Sequence, residues 1–259
     1  MAGKDRKKEL ARQRFERQQA RREAELKAAR KRSVIGGAVA TAVVILGVAG
    51  VFWFVGRDDD PVEDPTVAAP TAAPGECLYT ETGDAAKDVG LPPAKPAYDG
   101  TVKATIKTNV GDVKVDLDGA KAPCTVNAIT FLAQEGYFDG TECHRVAENP
   151  PMLQCGDPTG TGSGGPGFSY MTENTEGAKY TEGVLAMANS GSPDSNGSQF
   201  FLMYDDSELS PDYTVFGKVT SGIDVVKDVA KAGNDNSNPA GGGKPNTKVE
   251  IKSISIEKN

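Results

Sequence analysis

Hydrophobic and polar residues alternate in two neighbouring segments in the middle of the chain. The apolar positions fall at every second residue, first at Val102, Ala104 and Ile106 and then at Val113, Val115 and Leu117. A period of two is typical of a β-strand that buries one face. Asn109-Val110-Gly111-Asp112 stands between the two segments. The pattern therefore predicts a β-hairpin.

The apolar spacing then changes to that of an α-helix. Pro123 suits a first helical turn, Gly136 ends the segment, and between them lies an apolar stripe of Val126, Ile129, Leu132 and Ala133. A second short helix is predicted at 223–232. Further strands are predicted at 184–187, at 200–203 and around Val249, Ile251, Ile254 and Ile256. Short strands with two helices and glycine-rich loops indicate a mainly β fold, an antiparallel barrel or sandwich capped by helices.

One segment, 34–56, is apolar throughout. Its 23 residues carry no charge, and Phe52, Trp53 and Phe54 cluster at one end. A helix of this length spans about 35 Å, which is enough to cross a hydrocarbon core of about 30 Å. A cleaved signal peptide is the alternative, but its apolar region is shorter and small residues follow it. The pattern favours an uncleaved transmembrane anchor.

The charges on either side of this segment are unequal. Residues 1–33 hold 13 Lys or Arg against 5 Asp or Glu, whereas 57–259 carry 16 against 31. Basic residues remain on the cytoplasmic side of a membrane span, so we expect a cytoplasmic N-terminus and an extracytoplasmic body. Because the body is acidic, it is not expected to bind nucleic acid.

These features divide the chain into four parts. Residues 1–33 are expected to be a basic helical tail and 34–56 the anchor. Residues 57–97, rich in Pro, Asp and Ala, are expected to be a linker with a short pre-domain segment. Residues 98–259 are expected to form the folded domain.

All four cysteines lie beyond the apolar segment, at Cys77, Cys124, Cys143 and Cys155. Their position suits disulfide formation in an exported domain, and none has the C-x-x-C spacing of a zinc or redox site. Four cysteines allow three pairings, and the sequence does not choose among them. We favour Cys143–Cys155 across neighbouring strands and Cys77–Cys124 between the pre-domain segment and the domain.

Two features that could indicate other chemistry have a simpler interpretation. The glycines at 160–165 match a dinucleotide-binding fingerprint, but prolines flank them and neither a strand nor a helix is predicted beside them, so an ordinary loop is expected. His144 is the only histidine. No G-x-S-x-G motif accompanies it, and the neighbouring Arg145 opposes formation of an imidazolium, so a structural role is expected.

Several linked strings carry the functional signal. They are GYFDGT at 136–141, HRV at 144–146, LQCGDPTG at 153–160, GVLAMAN at 183–189, NGSQFF at 196–201 and YTVFGKV at 213–219. In order and approximate spacing they closely resemble the cyclophilins, over about residues 100–257. The chain thus resembles a bacterial, membrane-anchored cyclophilin-type peptidyl-prolyl cis-trans isomerase.

The resemblance implies an eight-stranded antiparallel barrel capped by two helices. It also implies catalysis of X-Pro rotation, which breaks no covalent bond and therefore needs neither cofactor nor metal. By the family match, the catalytic residues are Arg145, Gln154 and Phe200. The same match assigns substrate binding to Met152, Ala188, Asn189, Phe201, Leu209 and Tyr213. The expected partners are Pro-containing polypeptides, and the domain is expected to be monomeric.

The chain departs from the family pattern around the expected proline pocket. Pro151 stands nearest the place of the usual phenylalanine, in a loop that is one residue longer, and Glu208 replaces a tryptophan found in many members. Tyr213 stands where a histidine is common. These changes predict altered turnover. They leave open two other functions: a catalytically weak module or chaperone that binds Pro-containing segments, and a scaffold in an envelope complex.

Overall fold

The computed structural model describes residues 72–83 and 85–257. The predicted tail at 1–33 and the predicted anchor at 34–56 lie outside these residues. Within the described part, no helix is long and apolar enough to cross a membrane.

Strands dominate the described chain, and only two α-helices accompany them. In chain order the elements are β1 (Thr80–Glu81), β2 (Thr101–Thr108), β3 (Asp112–Asp118), α1 (Pro123–Gln134), β4 (Thr141–Glu142), β5 (Arg145–Glu148), β6 (Pro151–Cys155), β7 (Phe168–Ser169), β8 (Val184–Met187), β9 (Phe200–Met203), β10 (Val215–Ser221), α2 (Ile223–Lys231) and β11 (Glu250–Ile256).

Nine strands form one antiparallel sheet in the order β4-β11-β2-β3-β10-β8-β9-β6-β5, while β1 and β7 pair separately. Register shifts in β10 and β11 bend the sheet, as β-bulges do. The predicted mainly β fold with two helices is confirmed. The predicted closed barrel of eight strands is corrected to a curled half-barrel, because the two-residue β4 adds a ninth strand and no described ladder joins β5 to β4.

The predicted hairpin is present as β2 and β3. Val102 pairs with Leu117 and Ile106 with Val113, so the alternating apolar side chains of both strands share the buried face. At the turn, the backbone amide of Thr108 donates to the carbonyl of Gly111. The alternation in the sequence therefore gave both the strands and the face that forms the core.

Helix α1 buries the predicted stripe, including Val126, Ile129 and Leu132. Its N-cap residue, Ala122, offers no side-chain hydrogen bond. Instead the carboxylate of Glu173, from a distant loop, accepts from the backbone amides of Cys124 and Thr125 at 3.0 and 2.7 Å. A negative charge at this end stabilises the helix and satisfies its free amides.

Both favoured disulfides are confirmed. Cys77–Cys124 joins the pre-domain segment to α1 with a Cα–Cα distance of 5.4 Å, and Cys143–Cys155 links the residues flanking β5 and ending β6 at 4.0 Å. Cys77, Cys143 and Cys155 are buried in the main hydrophobic core. The segment around Cys77 thus packs on the fold, whereas the predicted domain boundary at residue 98 stays a prediction.

Candidate active site

Strands β5, β6 and β9 present one row of side chains on each face of the sheet. The register pairs Arg145 with Gln154 and Gln154 with Phe201, so these three lie side by side on one face. The next row, Val146, Leu153 and Leu202, is on the opposite face and packs into the main core. We call the first face the outer face and the second the inner face.

Three polar side chains on the outer face are joined by hydrogen bonds. Nη1 of Arg145 donates to Oε1 of Gln154 at 3.3 Å, and Nε2 of Gln154 donates to Oε1 of Gln199 at 2.9 Å. Nε2 of Gln199 in turn donates to the carbonyls of Gly162 and Gly164, both at 3.0 Å. This series of hydrogen bonds fixes the orientation of the Arg145 guanidinium and of the Gln154 and Gln199 side-chain amides.

The far edge of the Arg145 guanidinium is held by a loop before β11. Its Nε donates to the carbonyl of Gly241, and its Nη2 donates to that of Ala240, each at 2.9 Å. Burial lowers the pKa of Arg145, and the nearby Tyr213 raises it in part. Arginine nevertheless stays protonated in proteins, so a fixed cation stands at this end of the row.

An apolar cluster lies beside the polar row on the same face. Its buried members are Met152, Tyr180, Val184, Ala186, Phe201 and Met203. Leu209, Tyr213 and Ala188 pack against them with larger exposure. The rings of Phe201 and Tyr213 meet edge to face with centroids 5.6 Å apart. Apolar side chains next to a fixed cation are what a proline ring and its amide require.

The structure contradicts the predicted catalytic role of Phe200. Its side chain is on the inner face, 1% exposed, where its ring packs edge to face against Phe138 at 5.8 Å and Phe216 at 6.4 Å. It cannot line a pocket on the outer face, because adjacent residues of a strand point to opposite sides. Phe201, the next residue of β9, lies on the outer face beside Gln154 instead.

Ala188 and Asn189 follow β8 and reach the other end of the row. With Gln154 and Gln199 they line a cavity of about 520 Å³. Nδ2 of Asn189 donates to the carbonyl of Asp212 at 2.9 Å, which fixes that side chain at the rim. The structure thus brings the predicted residues together around one face, except for Phe200.

The departures from the family pattern change the edge of the apolar cluster. Pro151 begins β6 and pairs with Glu148, and no aromatic side chain replaces the missing phenylalanine there. Glu208 is exposed. The backbone of Tyr213 is held by the hydroxyl of Tyr180, which accepts from the Tyr213 amide at 3.0 Å and donates to the Tyr213 carbonyl at 2.9 Å.

His144 stands between Cys143 and Arg145, and its environment does not suit a catalytic role. Its two ring nitrogens are buried and have no hydrogen-bond partner among the described residues. Burial lowers the pKa of His144, while Asp157 raises it and Arg145 lowers it further. The ring lies next to Gly162, in the loop whose carbonyls hold Gln199.

Asp157 organises that glycine-containing loop. Its carboxylate accepts hydrogen bonds from the backbone amides of Thr159 and Gly162 at 2.7 and 2.6 Å. Burial by itself would raise the pKa of Asp157, but hydrogen bonds from Thr159 and Gly162 outweigh it and leave the pKa lowered. The segment at 160–165 forms no strand or helix, as predicted.

Three residues that contribute to the site were missed from the sequence: Gln199, Ala240 and Gly241. Gln199 stands inside the NGSQFF string, and strand alternation from Phe201 would have placed it on the outer face. The backbone carbonyls of Ala240 and Gly241 could not be identified from the sequence, because every residue type has a backbone carbonyl.

Comparison with known proteins agrees with this geometry. The family model described as cyclophilin type peptidyl-prolyl cis-trans isomerase/CLD matches residues 103–256. "Probable peptidyl-prolyl cis-trans isomerase B" of Mycobacterium tuberculosis is 42% identical over 205 residues, 70% of this chain and 64% of that protein. Its namesake in Mycobacterium leprae is 41% identical over 201 residues, covering 70% and 66%. The chain therefore spans just under two thirds of the length of these relatives.

A solved structure shows the same fold. The cyclophilin type peptidyl-prolyl cis-trans isomerase of Cryptosporidium parvum superposes with a TM-score of 0.54 at 33% identity, covering 61% of this chain and 99% of that one. A second structure of that protein, in the presence of the dipeptide Ala-Pro, gives a TM-score of 0.53. The chain belongs to the cyclophilin-type peptidyl-prolyl cis-trans isomerase family.

Proposed function

We propose that this chain is a peptidyl-prolyl cis-trans isomerase that assists the folding of exported proteins. The observation that carries the proposal is the outer row, in which Arg145 and Gln154 stand side by side with Phe201, a member of the apolar cluster. The relatives named as isomerases and the match at 103–256 support it.

The proposed mechanism needs only positioning and a fixed charge. Rotation about a peptide bond is slow because conjugation raises a barrier of about 18–20 kcal/mol. In the twisted state the prolyl nitrogen regains its lone pair. The Arg145 guanidinium donates to that nitrogen and therefore stabilises the twisted state more than either planar isomer.

The other outer-face groups hold the substrate in place. The apolar cluster around Met152 and Phe201 receives the proline ring, while Gln154 and Asn189 contact the neighbouring backbone. The hydrogen-bonded chain through Gln199 reduces the reorganisation that Arg145 and Gln154 undergo when substrate binds.

The proposal is tested with the purified full chain in detergent and a Pro-containing tetrapeptide, by exchange NMR. We expect wild type to accelerate cis–trans exchange and Arg145→Ala to lose about 10²–10³-fold in rate. Equal acceleration by both proteins, or none by wild type, would sink the proposal. A circular dichroism melt verifies that the variant is folded.

A second candidate is a module that binds Pro-containing segments without useful turnover. The observation that favours it is the altered edge of the apolar cluster, where Pro151 stands nearest the place of the usual phenylalanine and the exposed Glu208 replaces a tryptophan. Binding of the peptide by titration calorimetry, with exchange no faster than in buffer, would select this function over catalysis.

We further propose that residues 34–56 anchor the chain in a cell membrane with the N-terminus in the cytoplasm. The uncharged length of this segment and the basic residues before it support the proposal. The two disulfides fit an oxidising compartment. Membrane fractions should keep the chain through alkaline carbonate washing, and protease added to intact cells should digest its C-terminal part. Extraction by carbonate, or full protection from protease, would contradict this topology.

A further inference from the structure

Residues 77–83 and 85–91, which we call the strap, lie against the loop that follows the glycine segment. Strand β1 of the strap pairs with β7, Thr80 opposite Ser169 and Glu81 opposite Phe168. Two more hydrogen bonds extend the contact, from the amide of Thr82 to Gly167 and from that of Ala86 to Gly165, both 2.9 Å. The strap precedes the part of the chain that the family model matches.

The strap is fastened at several points along its length. The Cys77–Cys124 disulfide ties its start to α1, and the hydroxyl of Tyr79 donates to the carbonyl of Cys124 at 2.8 Å. Further along, Nζ of Lys87 donates to the carbonyl of Gly136. A wall fixed in this way loses little conformational freedom when a ligand binds against it.

This wall extends the cavity of the candidate active site. Thr82 lines the cavity of about 520 Å³ that also contains Gln154 and Gln199. A second cavity, of about 510 Å³, lies between the strap and Pro166-Gly167, and both cavities are lined by those two residues. The two cavities therefore adjoin, and the groove they form leads from Gln154 along the strap.

The charge of the groove has one sign. Glu81 and Asp88 line the strap cavity, and Asp194 lines the cavity beside Gln154. No Lys or Arg is among the described residues that line either cavity. Leu91, 43% exposed, adds an apolar surface next to the carboxylates. This combination fits the aliphatic stem and cationic head of a Lys or Arg side chain.

A buried acceptor that has no partner in the described part of the chain lies in the wall of the cavity beside Gln154. Asn196 is fully buried and lines the cavity beside Gln154. Its Nδ2 donates to Oγ1 of Thr214 at 3.0 Å, but its Oδ1 has no hydrogen-bond partner among the described residues. The carboxylates that line the groove, together with this buried acceptor in its wall, favour a ligand that carries hydrogen-bond donors.

We propose that the strap and the 163–170 loop form an accessory subsite that binds a Lys or Arg side chain of the substrate polypeptide. This inference rests on the proposed isomerase function, because it places the isomerised proline at the apolar cluster and a basic residue some positions away in the same chain. The strap is then a determinant of substrate choice that the family part of the fold does not supply.

The inference is tested with the full chain in detergent and two sets of peptides. The first is a minimal Ala-Pro tetrapeptide. Each peptide of the second set extends the same core and carries a single Lys, placed between two and six residues before or after the proline. Each Lys peptide has a matched partner with Gln at the same position. We expect one Lys position to raise kcat/KM about 3–10-fold over its Gln partner, mainly through KM, and expect 0.5 M salt to remove most of the gain.

The test variant is Glu81→Gln/Asp88→Asn, which removes two carboxylates from the strap cavity. It should lose the Lys preference and keep wild-type turnover of the minimal peptide. The control Asp224→Asn/Glu257→Gln removes two exposed carboxylates that line neither cavity, and it should keep the preference. Wild type without any Lys preference, or a test variant that retains the preference, would overturn the inference.

The two proposals fail in different ways. Turnover of the minimal peptide without a Lys preference overturns the subsite and leaves the isomerase function standing. Absence of turnover, with calorimetric binding of the Lys peptide that depends on Glu81 and Asp88, overturns the isomerase function and supports the subsite.

Discussion

The two faces of strands β5, β6 and β9 use the same stretch of sequence for different purposes. On the inner face, Val146, Leu153 and Phe200 pack into the main core together with the Cys143–Cys155 disulfide. On the outer face, Arg145 and Phe201 belong to a polar row and a small apolar cluster. Alternate residues of the same strand therefore serve different purposes: those on the inner face stabilise the fold, and those on the outer face form the candidate site.

The difference also lies in what surrounds each face. The inner face meets helices and other strands, so its side chains are buried on all sides. The outer face is covered by loops, and its polar groups are oriented by backbone carbonyls at 162, 164, 240 and 241. A core tolerates little change in volume, whereas a site depends on the orientation of a few groups.

Truncation of the two adjacent phenylalanines should separate the roles of the two faces. Phe200→Ala should destabilise the fold by about 3–5 kcal/mol because it leaves a cavity in the main core. Phe201→Ala should cost less stability, since its cluster is smaller, but should lower kcat/KM about 10–100-fold. Urea unfolding and peptide exchange measure the two effects. Equal losses of both kinds in both variants would contradict the two-face account.

The two disulfides give the next largest effects. Cys77 and Cys124 are 47 residues apart in sequence and Cys143 and Cys155 only 12, so loop entropy predicts losses of about 4 and about 3 kcal/mol on removal of each pair. The Cys143→Ala/Cys155→Ala protein should also lose turnover of the minimal peptide, because its bridge flanks Arg145 and Gln154. The Cys77→Ala/Cys124→Ala protein should retain it. Urea midpoints measure the two stability losses, and exchange rates are compared at a temperature at which both variants remain folded. Loss of turnover in the Cys77→Ala/Cys124→Ala protein but not in the Cys143→Ala/Cys155→Ala protein would contradict this expectation.

The smallest expected effect concerns His144. Burial lowers its pKa in the folded chain, so the unfolded chain binds the proton more readily. Stability from this residue is therefore present above the unfolded pKa of about 6.5 and is lost as the pH falls below it, by at most about 1.4 kcal/mol per pH unit. His144→Gln should show a shallower loss of stability between pH 7 and pH 5, measured by urea unfolding. An unchanged slope would show that His144 does not titrate differently on folding.

Much of the fold could be predicted because local patterns and packing agree. Alternation at β2 and β3, and the stripe of α1, are direct consequences of one buried face. In β11, Ile251 and Ile254 are both buried although they are three residues apart. A register shift between Ile251 and Ser253 explains that spacing, which a strict period of two would not allow.

The rest depends on contacts between distant segments. The motif strings identified most residues of the site. They could not decide which of the adjacent residues Phe200 and Phe201 faces the site, because that depends on the register of β9 in the sheet. The cap that Glu173 supplies to α1 lies 49 residues from Cys124. The strap carries no repeating apolar pattern that the sequence could reveal. Its place is fixed by a disulfide, the short pairing of β1 with β7 and a few further hydrogen bonds.

In the proposed mechanism, Arg145 acts on the twisted prolyl bond rather than on substrate binding. The most direct test is Arg145→Lys in the full chain, with the dissociation constant and the exchange rate of one Pro-containing peptide measured by NMR on the same samples. Lysine keeps the charge but loses the planar fork. We expect a dissociation constant within about 3-fold of wild type and an exchange rate about 10²-fold lower. An unchanged exchange rate, or a loss explained entirely by weaker binding, would contradict it.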